Sequence, residues 1–181
     1  MLSSKYGMSL EKAKTMTVGV AKQAKNVSLD FNFETMVVSN TFDAHRLAQF
    51  AKTQNKLDEF VEQTLFEYFT NTKDLSDTEV LVQIALKVGL DEKQSREVLT
   101  GGKYSDEVKK DVKEATGLGV SGVPYFLFNQ QYEVSGAQPP EVFARVLDKI
   151  WTEQSKNGGS GSHGAKKTEQ AEGCTDGSCK I

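Results

Sequence analysis

One proline does most to restrict what this chain can become. Pro124 stands directly before Tyr125-Phe126-Leu127-Phe128, the stretch that reads most clearly as β-structure. Proline has no amide hydrogen to give a sheet ladder, so Pro124 must lie at a strand start or on an unpaired edge. Three glycines crowd in just before it, at Gly117, Gly119 and Gly122. After Phe128 comes a polar break, Asn129-Gln130-Gln131, and then Tyr132-Glu133-Val134, which alternates as a half-exposed strand does. Residues 117–140 therefore predict a β-hairpin, with strands over 123–128 and 132–134. Gly136 and Pro139-Pro140 lead from it into an apolar-periodic helix.

The rest of the chain reads as helical. Ser9 is placed to cap a helix carrying Leu10, Ala13, Met16, Val20, Ala21 and Ala24, which Gly19 weakens by about 1 kcal/mol relative to alanine. Residues 26–39 are irregular; alternation at Leu29, Phe31 and Phe33 suits a short strand or an anchored loop. Asn40 would cap a helix with Phe42, Leu47, Phe50 and Ala51. Leu57, Phe60, Val61, Leu65, Phe66 and Phe69 give the next helix a wide aromatic pattern, which predicts that it crosses the core. Phe60, Phe66, Phe126 and Phe128 are all expected in the core. Ser76-Asp77-Thr78-Glu79 is a capping-box sequence before Val80, Leu81, Ile84, Ala85 and Val88, and Gly89 ends that run. Asp91 with Gln94 opens a short helix that stops at Gly101-Gly102. Residues 105–116 are charged and predict a surface helix. Residues 141–151 predict a last helix burying Val142, Phe143, Val146, Leu147 and Ile150. That makes about seven helices and one hairpin, an α/β chain.

Composition narrows the function classes. The chain has 181 residues, enough for one domain and an appendage, with 38% apolar residues to build a core. Its net charge of −3 and lack of a basic patch argue against nucleic acid. No apolar run approaches the roughly 18 residues of a membrane span, and the N-terminal residues show no apolar signal-peptide core. The expected setting is the cytoplasm. The two cysteines, Cys174 and Cys179, both lie near the C-terminus, where they cannot staple a core, and a reducing cytosol opposes a permanent disulfide. From Thr152 the chain changes character; residues 157–164 are of low complexity and read as flexible.

Two motifs carry a family likeness. Gly119-Val120-Ser121-Gly122-Val123-Pro124-Tyr125-Phe126 resembles the cis-proline segment of DsbA-type thioredoxin-fold proteins, and Tyr132 to Phe143 resembles its continuation in the FrnE-like branch. The likeness covers roughly residues 5–150. It implies a partial thioredoxin-like fold: a helical insertion over about 8–117, then the thioredoxin-type hairpin and helix over 118–152, with 153–181 as a tail. It implies a cis bond before Pro124, which would turn the Val123 backbone outward to pair with an extended peptide or a protein thiol's flanking chain. The implied activity is that of a thiol–disulfide oxidoreductase or isomerase. The family normally opens with a strand, a Cys-x-x-Cys helix and another strand. No Cys-x-x-Cys stands anywhere in this sequence. The chain thus reads as truncated, or as one whose missing strands come from another chain. A hairpin with an open edge also admits a homo-oligomer.

The candidate chemistry is sparse. Cys174-Thr175-Asp176-Gly177-Ser178-Cys179 is the redox candidate: Asp-Gly favours a tight turn that can bring two sulfurs within disulfide reach. Some FrnE-like proteins resemble this chain in carrying an extra C-terminal pair. A flexible chain of the ~22 residues from Trp151 to Cys174 spans roughly 26 Å, enough to visit much of one face of a domain this size. The plainer alternative is an exposed pair with no role. Cys174, Cys179 and His163 are too few and too widely spaced for a usual zinc site, so no metal is expected. Asn40-Thr41-Phe42-Asp43-Ala44-His45-Arg46 resembles a pattern near the active-site face of relatives that include 2-hydroxychromene-2-carboxylate isomerases and kappa-class glutathione transferases. That likeness would set Asn40, His45 or Arg46 beside a substrate or glutathione. The plainer alternative makes Asn40 a helix cap and Arg46 a surface ion-pair partner. No other cofactor is implied, and a non-catalytic peptide-binding or adaptor module remains the alternative to an enzyme.

Overall fold

A computed structural model describes Gly7 and residues 9–156. Among these residues lie seven helices and one hairpin, in the order α1 (Leu10–Asn26), α2 (Phe42–Thr53), α3 (Leu57–Phe69), α4 (Thr78–Lys87), α5 (Glu92–Thr100), α6 (Ser105–Gly117), β1 (Tyr125–Phe128), β2 (Tyr132–Ser135) and α7 (Pro140–Lys156). The chain divides into two compact units, Met1–Val112 and Lys113–Ile181. No helix among the described residues is long and apolar enough to cross a membrane.

In the first unit, side-chain caps set the helix starts. Ser9 Oγ accepts from the Lys12 amide at 3.2 Å, and Asp91 Oδ1 from the Gln94 amide at 2.8 Å. Asn40 Oδ1 accepts from the Phe42 amide at 2.9 Å, although Thr41 holds the formal cap position of α2. The expected capping box at Ser76 is not made. Asp77 is the cap of α4, accepting from the Glu79 amide at 2.8 Å, while the Glu79 carboxylate goes to Arg96 at 2.5 and 2.8 Å. Gly89, at φ +79°, closes α4 with bonds from its own amide to Leu86 and from the Leu90 amide to Ala85, a turn that costs an L side chain strain.

The core of this unit is built by α2 to α5 around Leu47, Phe50, Phe60, Leu81, Ile84 and Val98. Residues 29–33 form an anchored loop rather than a strand. The Asn32 amide donates to the Phe69 carbonyl at 2.8 Å, Thr70 Oγ1 donates to the Asp30 carbonyl at 2.7 Å, and the Phe31 ring stacks on Phe69 at 4.5 Å.

Two helices bury other faces than their apolar patterns suggest. α1 buries Ala13 and Ala24, leaving Met16 and Val20 exposed. α3 does not cross the core: it buries Phe60 and Glu67 and leaves Val61, Leu65 and Phe66 exposed. The inward stripe of α3 is Phe60, Gln63, Thr64 and Glu67, at one helical face. A buried carboxylate is tolerable only when its lone pairs are filled. Here Glu67 accepts from Lys87 Nζ at 2.5 Å, Gln63 Nε2 at 2.9 Å and Asn71 Nδ2 at 2.9 Å.

Burial by itself would raise the Glu67 pKa, but the Lys87, Asn71 and Gln63 bonds outweigh it and hold the carboxyl below its ordinary value. A folded-state pKa below the unfolded one stabilises the fold above the unfolded value, and that contribution is lost as pH falls through the folded value. Glu67→Gln should therefore be less stable than the parent at neutral pH, yet lose less stability between about pH 6 and pH 3. Urea midpoints measured across that window check this, and parallel losses in both chains would refute it.

The second unit is a hairpin under one helix. β1 and β2 pair antiparallel with Tyr125 opposite Ser135 and Phe128 opposite Tyr132. Asn129 and Gln130 both sit at positive φ in the turn, and the Gln131 amide closes it onto Phe128. Phe143 of α7 packs edge-on against Phe126 at 4.9 Å and lies 6.3 Å from Phe128. On the other flank of α7, Glu153 accepts from the Tyr132 hydroxyl at 2.5 Å, and Lys149 Nζ lies 5.1 Å above the Tyr132 ring. Two expected core residues are corrected here: Phe126 and Leu147 are exposed, because one hairpin cannot cover all of a helix's apolar stripe. α7 runs to Lys156, past the expected start of the tail.

Candidate functional site

α6 ends by wrapping its last carbonyls. The Val120 amide donates to Ala115 and the Gly119 amide to Thr116, with Gly119 at φ +80°. The chain then crosses Ser121 and Gly122, both exposed, to Val123, which is 86% exposed. The Val123–Pro124 peptide bond is cis. The Pro124 carbonyl accepts from the Gly136 amide at 2.8 Å. Antiparallel ladders alternate, so Phe126 and Phe128 likewise address β2. The amides and carbonyls of Tyr125 and Leu127 therefore point to the other edge of β1, which no strand occupies among the described residues. The Tyr125 hydroxyl is buried and makes no hydrogen bond of good geometry among the described residues. Burial first, and then the Glu133 carboxylate nearby, push its pKa up.

The remaining predicted residues lie apart in chain and in unit. Asn40, His45 and Arg46 belong to the first unit; Val123 and Pro124 belong to the second. Asn40 spends its side-chain oxygen on the Phe42 amide. His45 is exposed on α2. Arg46 is 4% exposed and so not a surface residue, but it keeps the expected ion pair, with Asp43. Its Nε donates to Lys103 O at 2.9 Å, its Nη1 to Asp43 Oδ1 at 2.7 Å and Leu99 O at 3.5 Å, and its Nη2 to Val98 O and Gly101 O. A guanidinium has five N–H donors, and all five are taken. Arg46 thus binds the C-terminus of α5 and the turn after it, and has nothing left for a substrate. Only the Asp43 pair is local; the four carbonyl acceptors lie more than fifty residues further on, so no local signal announces them.

Cys174, Cys179 and His163 lie outside the described residues. Among the described residues no group of three or more His, Cys, Asp or Glu side chains could hold a metal ion.

No curated protein matches this chain. The crystal structure of a probable DsbA oxidoreductase from Streptomyces coelicolor is similar to it, with a TM-score of 0.79 and 34% sequence identity, over 100% of this chain and 74% of that one. The profile of the DSBA-like thioredoxin domain matches residues 2–148. A match over most of the length, with the proline-led hairpin and the first half of the terminal helix inside it, means that this chain belongs to the DSBA-like thioredoxin domain family.

Proposed function

We propose that this protein takes part in thiol–disulfide exchange, as an oxidoreductase or isomerase of the FrnE-like kind. The observation that carries the reading is the exposed Val123-Pro124 segment leading into a strand edge that no strand occupies among the described residues, within a DSBA-like domain. An extended peptide can pair with such an edge through its backbone. The thiols come from Cys174 and Cys179. One thiolate attacks a substrate disulfide, giving a mixed disulfide and releasing one substrate thiolate. The other then attacks the mixed disulfide, closing Cys174–Cys179 and releasing the second. The substrate gains two electrons, the pair loses two, and a thiol such as glutathione reduces the pair again. The setting of this reading is the cytoplasm, where such a pair is kept reduced between turnovers.

The test is a redox titration against glutathione, read by mass shift after alkylation. Cys174 and Cys179 should close on each other in oxidising buffer, and Cys174→Ser or Cys179→Ser should cut disulfide exchange about tenfold or more. Two thiols that stay independent and unoxidised would overturn the enzymatic reading. A non-catalytic peptide-binding module would then stand.

A further inference from the structure

We infer that residues 30–38 are a strap that opens and closes over the end of α3 while the α2–α5 core stays folded. Both ends of the strap are fixed. At one, the Leu29 amide returns to the Ala24 carbonyl at 2.9 Å, with Ser28 at φ +63°. At the other, Ser39 Oγ accepts from the Leu75 amide at 3.0 Å. Between them no residue is buried. The strap docks through Asn32: its amide donates to the Phe69 carbonyl at 2.8 Å and its Nδ2 to the Thr70 carbonyl at 2.6 Å. Thr70 Oγ1 gives one bond back, to the Asp30 carbonyl at 2.7 Å. Phe31 stacks on Phe69 at 4.5 Å, and Phe33 meets the same ring edge-on at 6.3 Å.

Two features let this contact break without unfolding what lies beneath it. The bonds of Asn32 Nδ2 and Thr70 Oγ1 are exposed, so water replaces them at small net cost. α3 also closes without the strap. The Thr70 and Asn71 amides both donate to the Phe66 carbonyl, the Lys73 amide donates to the Glu67 carbonyl, and Asn71 Nδ2 donates to Glu67 Oε2. None of these bonds involves the strap. Phe60, Leu81 and Ile84 beneath are buried and belong to the core that unfolds as a whole. Segments held by exposed bonds, with few buried apolar side chains, open at a fraction of the global unfolding free energy. Opening bares the Phe69 ring and two carbonyl acceptors at the end of α3. Asn32 is the latch, because it fills both acceptors.

The test is hydrogen exchange of the full chain, followed by NMR along a series of low urea concentrations. The Asn32 amide should be protected, yet about 100-fold less than the Ile84 amide, and its rate should not change with low urea. Asn32→Ala removes the Nδ2 bond and should lower protection at that position about tenfold, leaving Ile84 protection and Tm unchanged. An unprotected Asn32 amide would mean that the strap is not docked. An Asn32 amide that shares the Ile84 rate and urea dependence would mean that the strap opens only when the whole unit unfolds. So would an Asn32→Ala chain that loses protection at both positions alike. Any of these results overturns the inference.

Discussion

Arg46→Ala should destabilise the first unit by about 3–5 kcal/mol, since it strips donors from several carbonyls at about 1–3 kcal/mol each and admitted water restores only part. For a chain of this size that is a fall in Tm of about 10 °C. The carbonyls at risk belong to Val98, Leu99, Gly101 and Lys103, where α5 stops and four backbone acceptors have no helical partner. Arg46→Lys keeps the charge but offers a point where the site needs a planar fork, so it should recover less than half of the loss. Thermal unfolding by far-UV circular dichroism reads both. Were Arg46 a surface ion-pair partner instead, Arg46→Ala would cost under about 1 kcal/mol, and that result would remove the assignment.

Phe60 and Phe66 should separate cleanly, although the sequence presents them alike. Phe60 is 1% exposed and sits among Leu47, Leu81 and Ile84 in the α2–α5 core. Phe60→Ala should cost about 3–5 kcal/mol, the loss of its transfer energy and the cavity left behind. Phe66 is 48% exposed on the outer side of α3. Phe66→Ala should fall within about 1 kcal/mol of the parent. Urea midpoints for the two variants give the comparison directly. Equal losses would mean that α3 turns its apolar side inward after all.

The local signals were written plainly in the sequence. Ser9, Asp91 and Gly89 sit where they do because caps and left-handed closures are set by one residue and its next few neighbours. The hairpin after Pro124 was legible for the same reason: proline, a polar turn and alternating side chains act over a few residues. The family motifs flanking it, 119–126 and 132–143, likewise carried the DsbA-type fold without any knowledge of packing.

What the sequence could not decide was which side of each helix is inside. α3 has two apolar sides. The choice fell to Phe60 and Glu67 because Lys87, twenty residues on, and Asn71 fill the Glu67 oxygens, a fact absent from the helix's own pattern. Arg46 reads locally as a polar residue in a family-like motif, and only the return of α5 and the turn after it reveals four carbonyl acceptors around it. The edge of β1 has the same character. Alternation fixes which side chains share a face, but only the observed pairing with β2 shows that the amides it leaves unused are those of Tyr125 and Leu127. Caps, turns and closures depend on neighbours in the chain, so the sequence determines them; the inward face of a helix and the free side of a strand depend on neighbours in space, so only the tertiary structure does.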